Sequence, residues 1–96
     1  MPRETPRLTE AEIEKGLQSL TGWKRQGDAI VKTFEHKSFM PAMAFVNKVA
    51  ILAEAANHHP DITINYRRVH LLLTTHDSGG LTERDFKLAR EIDAIA

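Results

Sequence analysis

The sequence contains no cysteine, which excludes disulfide bonds, thiol nucleophiles and cysteine-based zinc sites. Its 13 lysines and arginines are balanced by 13 aspartates and glutamates, so the formal net charge is zero. Nucleic-acid backbones and anionic membranes favour basic proteins, and neither is expected as a direct partner. The longest strongly apolar run, residues 49–53, is too short to cross a bilayer, and the polar first ten residues lack a secretory hydrophobic segment. We therefore expect a cytoplasmic protein with no membrane partner.

The composition is that of a small folded domain. A chain of 96 residues, 42% of them hydrophobic and 27% charged, suits one domain spanning residues 1–96. Residues 1–7 are polar and contain two prolines, which predicts a loose N-terminal arm. The few large aromatic residues include one tryptophan, Trp23, and one tyrosine, Tyr66, and both are expected in the core with satisfied polar ends.

The first and last of three predicted helices begin with the same signal. Thr9 precedes the first helix, and Glu12 follows three residues later, the spacing of a capping box. Thr82 starts the last helix, and Asp85 can return a hydrogen bond to the Thr82 amide in the same way. This second pairing gives Asp85 a structural role that does not require any chemistry.

The long second helix lies between two predicted β-hairpins. Ser38 can cap this helix, which runs to about Asn57, because Pro60 cannot continue it. Alternating or continuous apolar residues predict strands at 23–26, 29–36, 62–66 and 69–75. The order α-β-β-α-β-β-α, with short hairpin connections, predicts an α+β fold: a four-stranded antiparallel sheet with three helices packed on one face.

Three of the five histidines lie beside breaks in these elements. His58 and His59 end the second helix, and His76 ends the last strand. Glu54 precedes His58 by four residues, so the two side chains are expected to meet on one helix face. A site between the helix end and the strand end can supply both a proton donor and a proton acceptor near neutral pH.

Two other interpretations of these residues are open at this point. His58 can simply bind the last carbonyl groups of the helix, a structural role. Glu54, His58 and His76 can alternatively form a metal site, since carboxylate and imidazole suit zinc or iron. The metal interpretation is disfavoured because a helix break separates the ligands and no H-E-x-x-H motif is present.

The spacing of these residues resembles the signature of the pterin-4a-carbinolamine dehydratase family. The pattern consists, in order, of Glu54, His58, His59, Pro60, Tyr66, His76 and Asp85. The runs 74–77 and 80–85 also match the family, and Gly22, Trp23, Phe34 and residues 39–45 resemble its N-terminal half more loosely. The resemblance therefore covers nearly the whole chain and implies the same α-β-β-α-β-β-α fold.

The resemblance implies a hydro-lyase that removes water from 4a-hydroxy-tetrahydropterin without a metal or other cofactor. His58 and His76 match the family's acid–base pair, and His59 matches a third histidine involved in catalysis and substrate binding. Glu54 is expected to hold and tune His58, and Asp85 to orient a neighbour. The substrate-contacting positions of the family fall at Asn57, His58, His59, Thr74, Thr75, His76 and Asp77.

The sequence departs from animal members of the family at two positions and leaves the partners open. Ile62 stands where those members have tryptophan, which loosens stacking on the pterin, and Asp77 stands where they have glutamate. Some members act as dimerisation partners of a transcription factor, so a non-catalytic coactivator-type interaction domain is the alternative function. The wide apolar surface of the second helix suits a homodimer, a homotetramer or such a protein partner.

Overall fold

The structure is a computed structural model that describes residues 6–96. Its helices are α1 (Glu10–Gln18), α2 (Phe39–Ala56) and α3 (Glu83–Ile95), and its strands are β1 (Lys24–Gln26), β2 (Ala29–Glu35), β3 (Asp61–Asn65) and β4 (Arg68–Leu73). A 3-10 turn, His76–Ser78, links β4 to α3. The predicted element order is confirmed. Most of the predicted N-terminal arm lies outside the described residues, and Pro6 and Arg7 have no regular secondary structure.

The four strands form one antiparallel sheet in the order β1-β2-β4-β3. Ile30 of the central strand β2 pairs with Leu73 of β4, and Phe34 pairs with Val69. All four side chains are buried in the core that the sheet shares with the helices. The predicted α+β class, with three helices on one face of an antiparallel sheet, is confirmed.

α1 is held against α3 by a contact that needs glycine. A Cβ atom built on Gly16 would lie 2.7 Å from Cε1 of Phe86, a buried residue of α3. Glycine inside a helix costs about 1 kcal/mol relative to alanine. Packing offsets this cost at Gly16, because a residue without a side chain lets the Phe86 ring lie close to the backbone of α1.

α2 contributes one face to the core and leaves the other uncovered. Ala42, Phe45, Val49 and Ala53 are its buried residues. The helix has 18 residues with a mean hydropathy of 1.4, which is long and apolar enough to cross a bilayer, yet its buried face packs within this domain. Ser38 occupies the predicted N-cap, but its hydroxyl makes no capping hydrogen bond, so that part of the prediction was wrong.

The two aromatic predictions had opposite outcomes. Trp23 is 5% exposed, and its indole N–H donates to the carboxylate of Asp93 at 3.1 Å. Tyr66 is 62% exposed, so its predicted place in the core was wrong. Tyr66 follows β3 at the tight connection to β4 and has a positive φ of 54°, which turns its side chain out of the strand alternation.

Candidate functional site

The site begins where α2 ends in a left-handed residue. Asn57 has φ 49° and ψ 43°, a conformation that asparagine tolerates better than most residues. The backbone N–H of His58 then donates to the Ala53 carbonyl at 3.0 Å and closes the helix. Because the chain turns at Asn57, His58 and His59 no longer follow the helix and enter different environments.

His58 lies almost wholly inside the protein and is bound to Asp85. The residue is 7% exposed, and its Nε2 atom lies 2.6 Å from Oδ1 of Asp85, which has no exposed surface. A distance this short is typical of a charge-assisted hydrogen bond. The expected neighbour that Asp85 orients is therefore His58.

Glu54 binds the other histidine of the pair. Its Oε2 atom lies 2.6 Å from Nε2 of His59, and both side chains are more than half exposed. The expected contact between Glu54 and His58 was wrong, because Asn57 ends the helical spacing one residue before His58. Each histidine thus has its own carboxylate, buried for His58 and exposed for His59.

The end of β4 supplies the second half of the site. Thr75 is 3% exposed, and its hydroxyl donates to Oδ2 of Asp85 at 2.9 Å. Thr74 instead donates its hydroxyl to the carbonyl of Asp28 at 2.6 Å. His76 and Asp77 follow on the exposed 3-10 turn.

The carboxylate of Asp85 is the point where the two halves meet. One of its oxygens binds His58 from the end of α2, and the other accepts from Thr75 at the end of β4. Since the two oxygens belong to one carboxylate, the helix end and the strand end converge at hydrogen-bond distance. The structure thus joins His58 to the residue directly before His76.

The seven residues expected to contact substrate differ in the direction of their side chains, some of which turn into the protein while others are exposed. The Thr75 hydroxyl is turned inward to Asp85 and is not available at the surface. Asn57, His59, His76 and Asp77 are exposed, and Thr74 is partly so.

A cavity of about 310 Å³ opens beside His58, between the end of α2 and the stretch of α3 from Arg84 to Glu91. Its wall includes Arg84, Lys87 and Glu91, so the groove carries charges of both signs. Arg84 also donates to the carbonyl of Asn57 at 2.8 Å, which ties α3 to the end of α2 at a second point. His58 is therefore buried but still borders open space.

The alternative metal interpretation lacks a suitable arrangement of donors. Across residues 6–96, no group of three or more histidine, aspartate or glutamate side chains is placed to hold an ion. Glu54, His58 and His76 do not form such a group, because Glu54 is paired with His59 and His58 with Asp85.

Sequence reasoning missed the part that Thr82 plays beside the histidine. The Thr82 hydroxyl lies 2.8 Å from the Thr75 hydroxyl, and the Thr82 amide donates to Oδ2 of Asp85 at 3.0 Å. The T-x-x-D spacing identified the helix start correctly. Only burial, which this spacing does not report, shows that the same cap reaches His58.

The model of the family described as pterin 4 alpha carbinolamine dehydratase matches residues 6–95. The chain belongs to this family. A dehydratase relative from Thermomicrobium roseum, which carries the provisional name pterin-4-alpha-carbinolamine dehydratase, is 62% identical over 90 residues, covering 94% of this chain and 97% of that protein.

Solved structures of pterin dehydratase relatives share the fold. A transcriptional coactivator/pterin dehydratase from Brucella melitensis is 41% identical, with a TM-score of 0.90 over 94% of this chain and 98% of its own. A pterin dehydratase-like protein identified as a RuBisCO assembly factor in the alpha-carboxysome is 28% identical, with a TM-score of 0.67 over 78% of this chain and 89% of its own. The fold is thus found in proteins whose names include dehydratase, coactivator and assembly factor.

Proposed function

We propose that this protein is a cytoplasmic hydro-lyase that converts a 4a-hydroxy-tetrahydropterin to the quinonoid dihydropterin and water. The hydroxyl on C4a takes up a proton and leaves as water, while N5 loses its proton and the C4a–N5 double bond forms. One group must donate a proton and another must accept one, a task suited to two histidines near neutral pH. Membership of the dehydratase family supports this assignment.

The observation that carries the proposal is the hydrogen bond between His58 and Asp85. Asp85 accepts hydrogen bonds at Oδ2 from Thr75 and from the Thr82 amide, which suits an ionised carboxylate. Nε2 of His58 then carries the proton in that bond, and Nδ1 is left as the proton acceptor. We assign His58 as the base that takes the N5 proton.

His76 and His59 complete the proposed mechanism. His76 is exposed on the turn after Thr75, where it can protonate the leaving hydroxyl. His59, held by Glu54, is assigned to substrate binding and to support of the proton transfers. The exposed side chains of Asn57 and Asp77, together with Thr74, are assigned to the edges of the flat pterin. Thr75 is not assigned to the substrate, because its hydroxyl binds Asp85 and its backbone N–H and carbonyl bind Gly80.

Formation of the quinonoid dihydropterin, followed against the spontaneous dehydration, tests the proposal. The double variant His58→Ala, His76→Ala should lose about 10²–10⁴-fold of the acceleration, the usual contribution of general acid–base catalysis. His70→Ala is the matched control, since His70 lies on the sheet and its Nδ1 binds the Thr33 hydroxyl. Unchanged turnover in the double variant would remove the assigned roles.

The uncovered face of α2 supports a second role in protein association. Phe39, Met40 and Ile51 are 44%, 72% and 69% exposed on this helix. Exposed apolar groups of this size are typical of interfaces. We propose that a second copy of the chain covers them in a homodimer or homotetramer, and the alternative is a coactivator-type domain that binds another protein without catalysis.

Sedimentation velocity and the dehydration assay separate these roles. Ile51→Asp should dissociate a homo-oligomer, whereas Gln18→Glu adds the same charge at an exposed position of α1, outside that face. A monomeric wild-type protein would contradict self-association. A wild-type protein that gives no acceleration over spontaneous dehydration would favour the non-catalytic interaction domain.

A further inference from the structure

The capping box of α3 has more hydrogen bonds than a helix start requires. Thr82 Oγ1 accepts the backbone N–H of Arg84 at 3.2 Å and lies 2.8 Å from Thr75 Oγ1. Thr75 donates its own proton to Oδ2 of Asp85 at 2.9 Å. Because the Thr75 hydroxyl has a single proton and donates it to Asp85, the proton between the two hydroxyls must come from Thr82.

With an ionised Asp85 carboxylate, which can only accept, every hydrogen bond of this network has one direction. It runs from the Arg84 amide through the Thr82 and Thr75 hydroxyls to Asp85, which receives His58 on its other oxygen. Thr82 and Asp85 are completely buried and Thr75 is 3% exposed, so water cannot replace a lost member of the chain.

We propose that Thr75 and Thr82 are positioning residues, whose hydroxyls fix the Asp85 carboxylate and through it the ring plane and the Nε2–H tautomer of His58. This inference rests on the proposed function, in which Nδ1 of His58 accepts the N5 proton. Without the Thr75 hydroxyl, Oδ2 of Asp85 keeps only the Thr82 amide as a donor, so the carboxylate is held less firmly. A rotation of that carboxylate misdirects the only side-chain partner that the His58 ring has among residues 6–96. The cap thus serves the proposed reaction as well as the helix.

The variants that test this inference separate the hydroxyl from the shape of the side chain. Thr75→Val and Thr82→Val remove a hydroxyl at nearly constant volume, and Thr75→Ser and Thr82→Ser retain it. Thr9→Val is the matched control, because Thr9 caps α1 with the same box at an exposed position. Loss of one buried hydrogen bond should lower kcat about tenfold in the valine variants. The serine variants should recover most of that loss, and Thr9→Val should lower stability without changing kcat.

Nitrogen-15 NMR of the His58 ring at about pH 8 provides a readout that does not depend on turnover. The wild-type ring should carry its proton on Nε2, and the valine variants should show a mixture of tautomers or exchange broadening. A wild-type ring protonated on Nδ1 alone would overturn the inference even if no valine variant folds. A folded Thr75→Val protein with an unchanged ring spectrum, or with a changed spectrum and wild-type kcat, would also overturn it.

The two readouts distinguish failure of this inference from failure of the proposed function. If the wild-type protein does not accelerate dehydration, the proposed function fails. The ring spectra then still decide whether the hydroxyls position His58: a spectrum that changes in Thr75→Val and recovers in Thr75→Ser supports the positioning, and one that does not change refutes it.

Discussion

α1 and α3 start with the same sequence device and use it differently. Thr9 and Glu12 close the box of α1 with hydrogen bonds of 2.8 and 3.2 Å. Thr82 and Asp85 close the box of α3 with a bond of 3.0 Å from the Thr82 amide to the carboxylate. The first pair is exposed, and the second has no exposed surface.

Burial makes the second box part of a site. Water satisfies the remaining oxygen of an exposed carboxylate, so the Glu12 box can stay local. Asp85 has no access to water and must find protein donors, which Thr75 and His58 supply from two other elements. A capping box that stays local at the surface of α1 thus links, when it is buried, the start of α3 to the ends of β4 and α2.

The largest test of this comparison is the loss of each carboxylate. Asp85→Ala should lower the free energy of unfolding by about 3–5 kcal/mol, because it strands the buried His58 ring and two donors. Glu12→Ala should lower it by about 0.5–1 kcal/mol, the usual cost of losing part of an exposed cap. Urea denaturation followed by circular dichroism measures both.

Equal losses in the two variants would contradict the distinction between the boxes. Asp85→Asn is the control for shape, since it preserves volume but places an N–H donor or a neutral oxygen opposite His58. Its loss should fall between those of Glu12→Ala and Asp85→Ala.

The contact between Gly16 of α1 and Phe86 of α3 offers a test with a smaller expected effect. Gly16→Ala raises helix propensity by about 1 kcal/mol, yet its methyl group would meet the ring of Phe86 at 2.7 Å. We expect a net destabilisation of about 1–3 kcal/mol from overpacking. A double-mutant cycle with Phe86→Leu should show strong coupling, and additive effects would mean that the ring moves freely away.

The C-terminal end of α2, which the α3 box contacts through His58, provides a test that distinguishes a role in substrate binding from a role in stability. Asn57→Gly should change stability by only a few tenths of a kcal/mol, because glycine adopts the left-handed conformation without strain. If the amide of Asn57 binds substrate as proposed, KM should rise roughly threefold to tenfold while kcat is retained. An unchanged KM would leave Asn57 as a helix cap alone.

Much of this molecule could be predicted because its signals are local. The Thr9 and Thr82 boxes and the break before Pro60 each depend on a few neighbouring residues. The element order and the α+β class followed from them and from apolar periodicity. The family signature also predicts that His58, His59, His76 and Asp85 lie in one region, and Asp85 joins His58 to Thr75, the residue before His76.

The remaining details depended on tertiary geometry. The i, i+4 spacing assigned Glu54 to His58, but a single left-handed residue, Asn57, redirected the chain and gave Glu54 to His59. The inward direction of the Thr75 hydroxyl and the exposure of Tyr66 were likewise set by a buried partner and by a positive φ. Neither a distant partner nor a backbone dihedral is encoded in residue spacing.

The exposed end of α1 yields the smallest and most pH-dependent expectation. Arg25 donates hydrogen bonds to Glu10 in the first turn of α1 and lowers the pKa of that carboxyl from its ordinary value of 4.5. A carboxyl whose pKa is lowered by folding stabilises the protein above its unfolded pKa, and this contribution is lost as the pH falls through the folded value. Glu10→Gln should therefore be slightly less stable than wild type at neutral pH, and the difference should vanish as the pH falls below 4.5. Thermal unfolding across that range measures it, and a difference that grows on acidification would show that Arg25 does not stabilise the start of α1 through this pair.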